Sequence, residues 1–178
     1  IIAVALLARG SSESTSVSQP TANPDAALPA GVLGADSEHA FGVLYGSASA
    51  DAPVLEVWED FQCPACASVE ELNGAGIAAL AEEGTVQLIW RPATFLDRVN
   101  EGRDASVANS STRATAAWGC AMDAGKTREF HDAIYANQPA EEGDGWVDDQ
   151  FIALAESSGI TGADLETFTS CVADGTYL

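Results

Sequence analysis

Basic residues are scarce in this sequence. Its 178 residues include 27 aspartates and glutamates but only 7 lysines and arginines, and Lys126 is the single lysine. The formal net charge of -20 creates a negative field that repels nucleic acid and anionic lipid headgroups. We therefore expect no nucleic-acid partner. We interpret the acidity as a solubility feature, with selection of a cationic partner as the alternative.

Long hydrophobic runs are also lacking. The apolar stretch IIAVALLA at 1–8 has eight residues, whereas a membrane-spanning helix needs about 20. It suits the end of a signal peptide or membrane anchor that begins outside the given sequence, with a buried strand as the alternative. The Ser, Thr, Pro and Asn-rich stretch at 9–35 predicts a flexible stalk. We therefore expect an exported chain that contacts a membrane only through an N-terminal anchor.

Cysteine is rare, and two of the four cysteines stand together in the motif CPAC. Cys63 and Cys66 follow the apolar run APVLEVWEDF at 52–61, which predicts a central strand of a sheet. Pro64 begins a helical pattern that extends to about Glu83. Backbone N–H groups and the helix dipole at such a junction favour thiolate over thiol. The two-residue gap also lets the sulfurs close into a disulfide, so we favour a redox-active pair.

Two alternatives to a redox role remain open, half a zinc site and simple packing. A zinc site needs two more ligands. The remaining cysteines and histidines do not form a second CxxC or an HxxxH pattern: Cys120, Cys171, His39 and His131.

Two further strands flank the CPAC segment. The stretch FGVLYGSASA at 41–50 predicts a short strand, and TVQLIWRP at 85–92 predicts another. A strand, a helix and a strand in this order predict a parallel crossover. Gly74 and Gly76 inside the helix predict a kink or close packing there.

Four helices are predicted after the last strand. Their apolar residues recur at helical spacing, and Thr127, Asp148 and Thr161 are candidate N-caps, while Gly159 is a candidate helix end.

Three stretches now carry a resemblance to a known family. From about residue 40 onward, the chain resembles the bacterial DsbA-like thiol-disulfide oxidoreductases of the thioredoxin superfamily. The resemblance lies in three stretches that occur in this order: VLEVWEDFQCPACASVEE, VQLIWRP and EFHDAIYANQ. The resemblance implies an α/β, thioredoxin-like part at 36–100 and an inserted all-helical domain at 101–178. It implies that Cys63 attacks and Cys66 resolves, without a cofactor or metal; Pro64 and Ala65 lie between them as supporting residues.

Two features depart from the family pattern. The family fold places a cis-proline beside the dithiol after the helical insertion, but the sequence ends at ADGTYL before one. We therefore expect the C-terminal strands and the cis-proline segment to be missing, and weak or no turnover by residues 1–178 alone. Many relatives bury an acid where this chain has Val57. Asp60 is the candidate proton acceptor instead, with a solvated or turn-capping carboxylate as the alternative.

Other residues have structural interpretations. Cys120 and Cys171 are the two cysteines outside the CPAC motif, and exported chains tend to oxidise such a pair. We therefore predict a structural disulfide between them, with buried free thiols as the alternative. His131 is interpreted as a packed or capping residue, with a catalytic base as the alternative. Trp58 and Phe61 are interpreted as core residues, although an aromatic near the dithiol could also line a surface for client chains.

These observations predict an enzyme of the bacterial cell envelope, secreted or membrane-anchored. We expect it to exchange disulfides with unfolded or reduced exported proteins, as an oxidase rather than an isomerase or reductase, and a membrane redox partner fits this role. One alternative is a membrane-tethered binding module with a structural CPAC disulfide. Another is a small zinc-binding protein.

Overall fold

The fold combines a three-stranded sheet with helices that all follow Cys63 in the described part of the chain. The computed structural model describes residues 27–178. In chain order the regular elements are β1 (Val43–Tyr45), β2 (Val54–Glu59), α1 (Pro64–Val69), a π-helical turn (Glu70–Gly74), α2 (Ala75–Glu82), β3 (Gln87–Pro92), 3-10 turns (Phe95–Asn100 and Ala105–Val107), α3 (Ser110–Asp123), α4 (Thr127–Ala136), α5 (Asp148–Ser157) and α6 (Ala163–Ala173).

The sheet has the order β1-β3-β2. Strands β2 and β3 are parallel with Val54 opposite Gln87, and β1 is antiparallel to β3. The predicted parallel crossover is confirmed. The expected central place of β2 is wrong within residues 27–178, because β3 is the middle strand and β2 is an edge. Val54 and Trp58, both on one face of β2, are exposed.

The long helix predicted after Cys63 is interrupted by the π-helical turn at Glu70–Gly74. The predicted irregularity thus lies just before and at Gly74 rather than at Gly76. A Cβ atom on Gly74 would collide with the Glu70 carboxylate. Glycine therefore lets this carboxylate fold back over the turn.

The three candidate N-caps are each wrong by one residue, the usual uncertainty of a helix boundary. Thr127 and Asp148 are the first helical residues, and the third cap is Gly162 rather than Thr161. Asp148 is instead paired with Arg113. Gly159 follows the end of α5 with a φ of 85°, as the sequence predicts.

The helices α3 to α6 share one apolar core with the sheet. The ring of Trp90 on β3 packs against Trp118 on α3 at a centroid distance of 5.8 Å, and the same cluster extends to Phe130 and Phe168. The helical part thus shares its core with the strands. The domain boundary at residue 100 stays a prediction.

The expectations for residues 1–8 and for most of the stalk lie outside the described residues. The last part of the stalk, up to residue 35, differs from expectation because its backbone is bonded to the fold. Val32 forms a bridge with Val43, and Leu33 N–H donates to the Gly42 carbonyl at 2.9 Å. Within residues 27–178, no helix combines the length and apolar character that crossing a membrane requires.

Candidate active site

The CPAC motif occupies the turn between β2 and α1. The carbonyl of Asp60 accepts a hydrogen bond from Cys63 N–H at 2.8 Å, and the Cys63 carbonyl accepts one from Ala67 N–H at 3.1 Å. Cys63 is in the extended conformation as the N-cap, and Pro64 begins the helix, where its missing N–H costs nothing. Cys63 and Cys66 are free thiols, and both are half-buried. The motif thus presents two reduced sulfurs at the beginning of a helix.

Cys66 faces a small cavity of about 170 Å³ lined by Val57, Trp58, Glu59, Ala65 and Val69. Burial raises the pKa of Cys66 to about 12, and the neighbouring Cys63 and Glu59 act in the same direction. Cys66 is therefore a protonated thiol at neutral pH. This protonation state leaves Cys63 as the cysteine better suited to begin an attack.

Asp60, the candidate proton acceptor, is fully buried. Its Oδ1 accepts hydrogen bonds from Gln62 N–H at 2.9 Å and from the Ser111 hydroxyl at 2.6 Å, and its Oδ2 accepts one from Leu96 N–H at 2.9 Å. These contacts correspond to the turn-capping alternative, because they tie the CPAC turn to the two segments after β3. Proton acceptance by Asp60 stays a prediction.

A buried cluster of three titratable side chains lies beside the dithiol. His131 Nε2 donates to Glu59 Oε1 at 2.6 Å, with the imidazole fully buried and the carboxylate 4% exposed. Burial opposes the charged form of His131, but the hydrogen bonds to Asp132 and Glu59 raise its pKa to about 9. Burial and the nearby Glu59 raise the pKa of Glu70 to about 7. The donor atoms of Glu59, Glu70 and His131 all lie within 4.8 Å of one another.

Aromatic rings surround the His131 imidazole. Trp90, Tyr135, Trp118 and Phe61 lie at centroid distances of 4.6, 5.1, 5.3 and 5.7 Å. His131 is thus packed, as the sequence interpretation had it, and is also brought to the active-site strand through Glu59. The alternative interpretation of this histidine as a catalytic base stays a prediction.

The two aromatic residues next to the motif have different environments. Phe61 is a core residue, as expected, with 2% of its surface exposed. Trp58 is 68% exposed and lies against the guanidinium of Arg91 at 5.4 Å, so its interpretation as core is wrong. Alternation along β2 explains this, because Glu59 faces the core and its neighbour Trp58 faces outward.

The second cysteine pair lies away from the CPAC motif. Cys120 on α3 and Cys171 on α6 form a disulfide with an S–S distance of 2.00 Å and a Cα–Cα distance of 6.0 Å. The bond joins two helices that are separated by 51 residues in sequence.

Sequence reasoning missed Glu59 and Glu70 as residues of the site. Glu59 is one of several acidic residues near the CPAC motif. Its position on β2 could have indicated that its side chain is buried. It shares a strand face with Val57, the position where relatives bury an acid. Glu70 offered no such signal, because its proximity to Glu59 and His131 depends on how three elements pack together.

The chain is similar to known thiol-disulfide oxidoreductases. The sequence profile of a family described as Thioredoxin matches residues 40–178. Among solved structures, DsbG of Mycobacterium tuberculosis, a disulfide bond oxidoreductase in reduced form, is 30% identical, with 76% of this chain and 67% of that chain covered and a TM-score of 0.61. Reduced DsbA of Mycobacterium tuberculosis is 29% identical, with 76% and 71% covered and a TM-score of 0.61.

A more distant structure shows the same fold. MdbA of Actinomyces oris, a thiol-disulfide oxidoreductase, is 20% identical, with 86% of this chain and 72% of that chain covered and a TM-score of 0.65. No curated protein sequence gave a significant match.

Proposed function

The chain belongs to the thioredoxin family as a DsbA-like thiol-disulfide oxidoreductase, and from this premise we propose that it oxidises cysteine pairs of exported proteins through Cys63 and Cys66. The observation that carries the proposal is the asymmetry of the dithiol. Cys66 is held as a thiol by burial, while Cys63 caps the helix. One sulfur is thus suited to exchange with a client and the other to close the ring.

The proposed oxidation consists of two exchanges. A client thiolate attacks the Cys63 sulfur of the Cys63–Cys66 disulfide, forming a mixed disulfide on Cys63 and releasing Cys66, which takes up a proton. A second client thiolate attacks the client sulfur of the mixed disulfide and releases Cys63. The client gains a disulfide, and the two electrons remain on the enzyme as the Cys63 and Cys66 thiols until a membrane redox partner removes them.

Two observations support an extracytoplasmic location in the bacterial envelope, secreted or anchored. The Cys120–Cys171 bond is of a kind that persists in oxidising compartments. The apolar run at 1–8 is typical of export signals or anchors. Unfolded or reduced exported proteins are the clients that such a compartment supplies.

A reduction potential tests the direction of exchange. The protein is equilibrated with glutathione buffers, and the dithiol fraction is quantified by alkylation and mass spectrometry. We expect a potential above that of thioredoxin, roughly -270 mV. A value near or below it would assign reductant duty instead. Failure of Cys63 and Cys66 to equilibrate at all would favour a structural disulfide and remove the proposal.

A further inference from the structure

We propose that Glu59, Glu70 and His131 form a binding site for one zinc ion beneath the CPAC helix. The site would hold the metal through one imidazole nitrogen and two carboxylate oxygens, a set that zinc accepts. Neither Cys63 nor Cys66 is a ligand of this site. It is therefore separate from the zinc site, with the two CPAC cysteines as half of its ligands, that the sequence leaves open as an alternative. Several independent features of the structure support this assignment.

The donor atoms already converge. They lie within 4.8 Å of one another and come from three elements, β2, the π-helical turn and α4. Ligand atoms about 2.0 Å from a tetrahedral zinc ion lie about 3.3 Å apart. The 2.6 Å contact between His131 Nε2 and Glu59 Oε1 must lengthen by about 0.7 Å, and any donor pair near the 4.8 Å limit must close by about 1.5 Å.

The other nitrogen of His131 faces a carboxylate. Nδ1 lies 3.4 Å from Asp132 Oδ1. Metal-bound histidines almost always direct their second ring nitrogen to a carboxylate, carbonyl or water, which fixes the ring orientation. His131 therefore has a partner on Nδ1 while Nε2 faces Glu59, the arrangement of a carboxylate–histidine–metal triad.

The hydroxyl of Tyr135 provides a second observation on the site. It is buried and has no hydrogen-bond partner, although Tyr135 is only 7% exposed. The Tyr135 ring lies against the His131 imidazole at a centroid distance of 5.1 Å, which places Tyr135 beside the cluster. A buried unpaired hydroxyl is costly. A water on the zinc ion would supply the missing partner.

The π-helical turn and an open cavity complete the site. The π-helical turn begins at Glu70, one of the three donors, and such turns are frequent at functional sites. Glu70, Asp132 and Tyr135 also line a cavity of about 550 Å³ between this turn and α4. The cavity therefore opens at Glu70, the half-buried member of the three donors, and its lining contains three acidic side chains and one arginine, Arg128.

Zinc titration of the purified protein tests the site. The Cys63–Cys66 disulfide is first closed and verified by thiol titration, because a reduced dithiol itself binds zinc. Calorimetry should show one zinc ion per chain, and excess zinc should raise the Tm by on the order of 5 °C. Mg²⁺ at the same concentration should give no shift, because it prefers oxygen ligands in octahedral geometry.

Variants locate the bound ion. Glu70→Gln should weaken zinc binding more than about tenfold, and Asp132→Asn, which alters the partner of Nδ1, by about tenfold. His39→Gln is the matched control, since the His39–Glu56 pair is partly exposed and lies outside the cluster; its zinc affinity should stay unchanged. Circular dichroism checks that each variant folds, and Glu70 is the decisive position because it is only half-buried.

Three results would overturn the proposal. They are the lack of one-to-one zinc binding by the oxidised wild type, an equal response to Mg²⁺, and unchanged zinc affinity in folded Glu70→Gln. None of these measurements depends on disulfide exchange, so the zinc site and the proposed oxidoreductase role fail or succeed separately.

Discussion

At the scale of single residues, the Glu59–His131 pair is the contact beside the dithiol with the largest expected effect on stability. Both groups are buried, and the imidazole lies among four aromatic rings. Removing one partner of a buried ion pair leaves an uncompensated charge, which costs several kcal/mol. The chain also contains a similar pair near the surface, His39 with Glu56, which allows a matched comparison.

Glu59→Gln should therefore lower the free energy of unfolding by about 3 kcal/mol, measured by urea denaturation with a chelator present. Glu56→Gln should change it little, because solvent screens the partly exposed pair. Equal effects of the two substitutions would show that burial does not determine the strength of the Glu59–His131 contact.

At the scale of secondary-structure elements, two glycines have opposite environments. Gly46 directly follows β1 with a φ of 94°, and a Cβ atom there would collide with the Ala81 carbonyl on α2. Gly76 lies inside α2, and a Cβ atom on it would meet nothing within 4 Å. The first glycine is required by the packing of the turn on the helix, and the second is not.

Gly46→Ala should lower the free energy of unfolding by about 2 kcal/mol or more through strain and overlap. Gly76→Ala should raise it by about 0.5 to 1 kcal/mol, because alanine has the higher helix propensity. Urea denaturation of the two variants beside the wild type measures both shifts. A destabilised Gly76→Ala would mean that the helix approaches another element at this position.

The disulfide between α3 and α6 is the covalent link between elements. Replacing both Cys120 and Cys171 with alanine should lower the free energy of unfolding by about 2 to 4 kcal/mol, because the unfolded chain then loses a closed loop. The double variant is compared with the wild type in urea without reductant, which leaves the CPAC pair in the same state in both. No loss of stability would mean that helix packing alone fixes the relative position of α3 and α6.

The sequence predicted where each element lies along the chain better than which elements pack next to each other. The period of apolar residues is local information, so β2, β3 and the four helices after β3 were located within a few residues. Which strand is central depends on pairing that the period does not encode, and β2 was misplaced for this reason. The position of the Glu70 carboxylate beside Glu59 and His131 likewise depends on contacts between elements. The π-helical turn that begins at Glu70 was indicated in the sequence only by a glycine inside a predicted helix.

The active site shows the same limit. Cys63 and Cys66 are adjacent in sequence, so the CPAC motif was enough to predict them as a pair. The cluster of Glu59, Glu70 and His131 unites residues up to 72 positions apart, which no local pattern reveals. The buried bonds of Asp60 to segments after β3 were missed for the same reason.

At the scale of the whole molecule, the formal net charge of -20 should oppose compaction. Raising NaCl from about 0.01 M to about 0.15 M shortens the Debye length from about 30 Å to about 8 Å. The midpoint of urea unfolding should therefore rise with salt as self-repulsion is screened. A midpoint that falls with added salt would show that ion pairs such as Arg128–Glu82 outweigh the repulsion.

The central claim is that the mixed disulfide with a client forms on Cys63 and that Cys66 can attack Cys63 again and release the client, and covalent trapping tests it most directly. Cys66→Ser and Cys63→Ser are each incubated with a thiol-containing client peptide under oxidising conditions, and the adducts are located by mass spectrometry. A mixed disulfide on Cys63 should accumulate in Cys66→Ser, because no second sulfur resolves it, while Cys63→Ser should form no adduct and show no exchange. A trapped adduct on Cys66 with continued exchange in Cys63→Ser, and none in Cys66→Ser, would contradict the account.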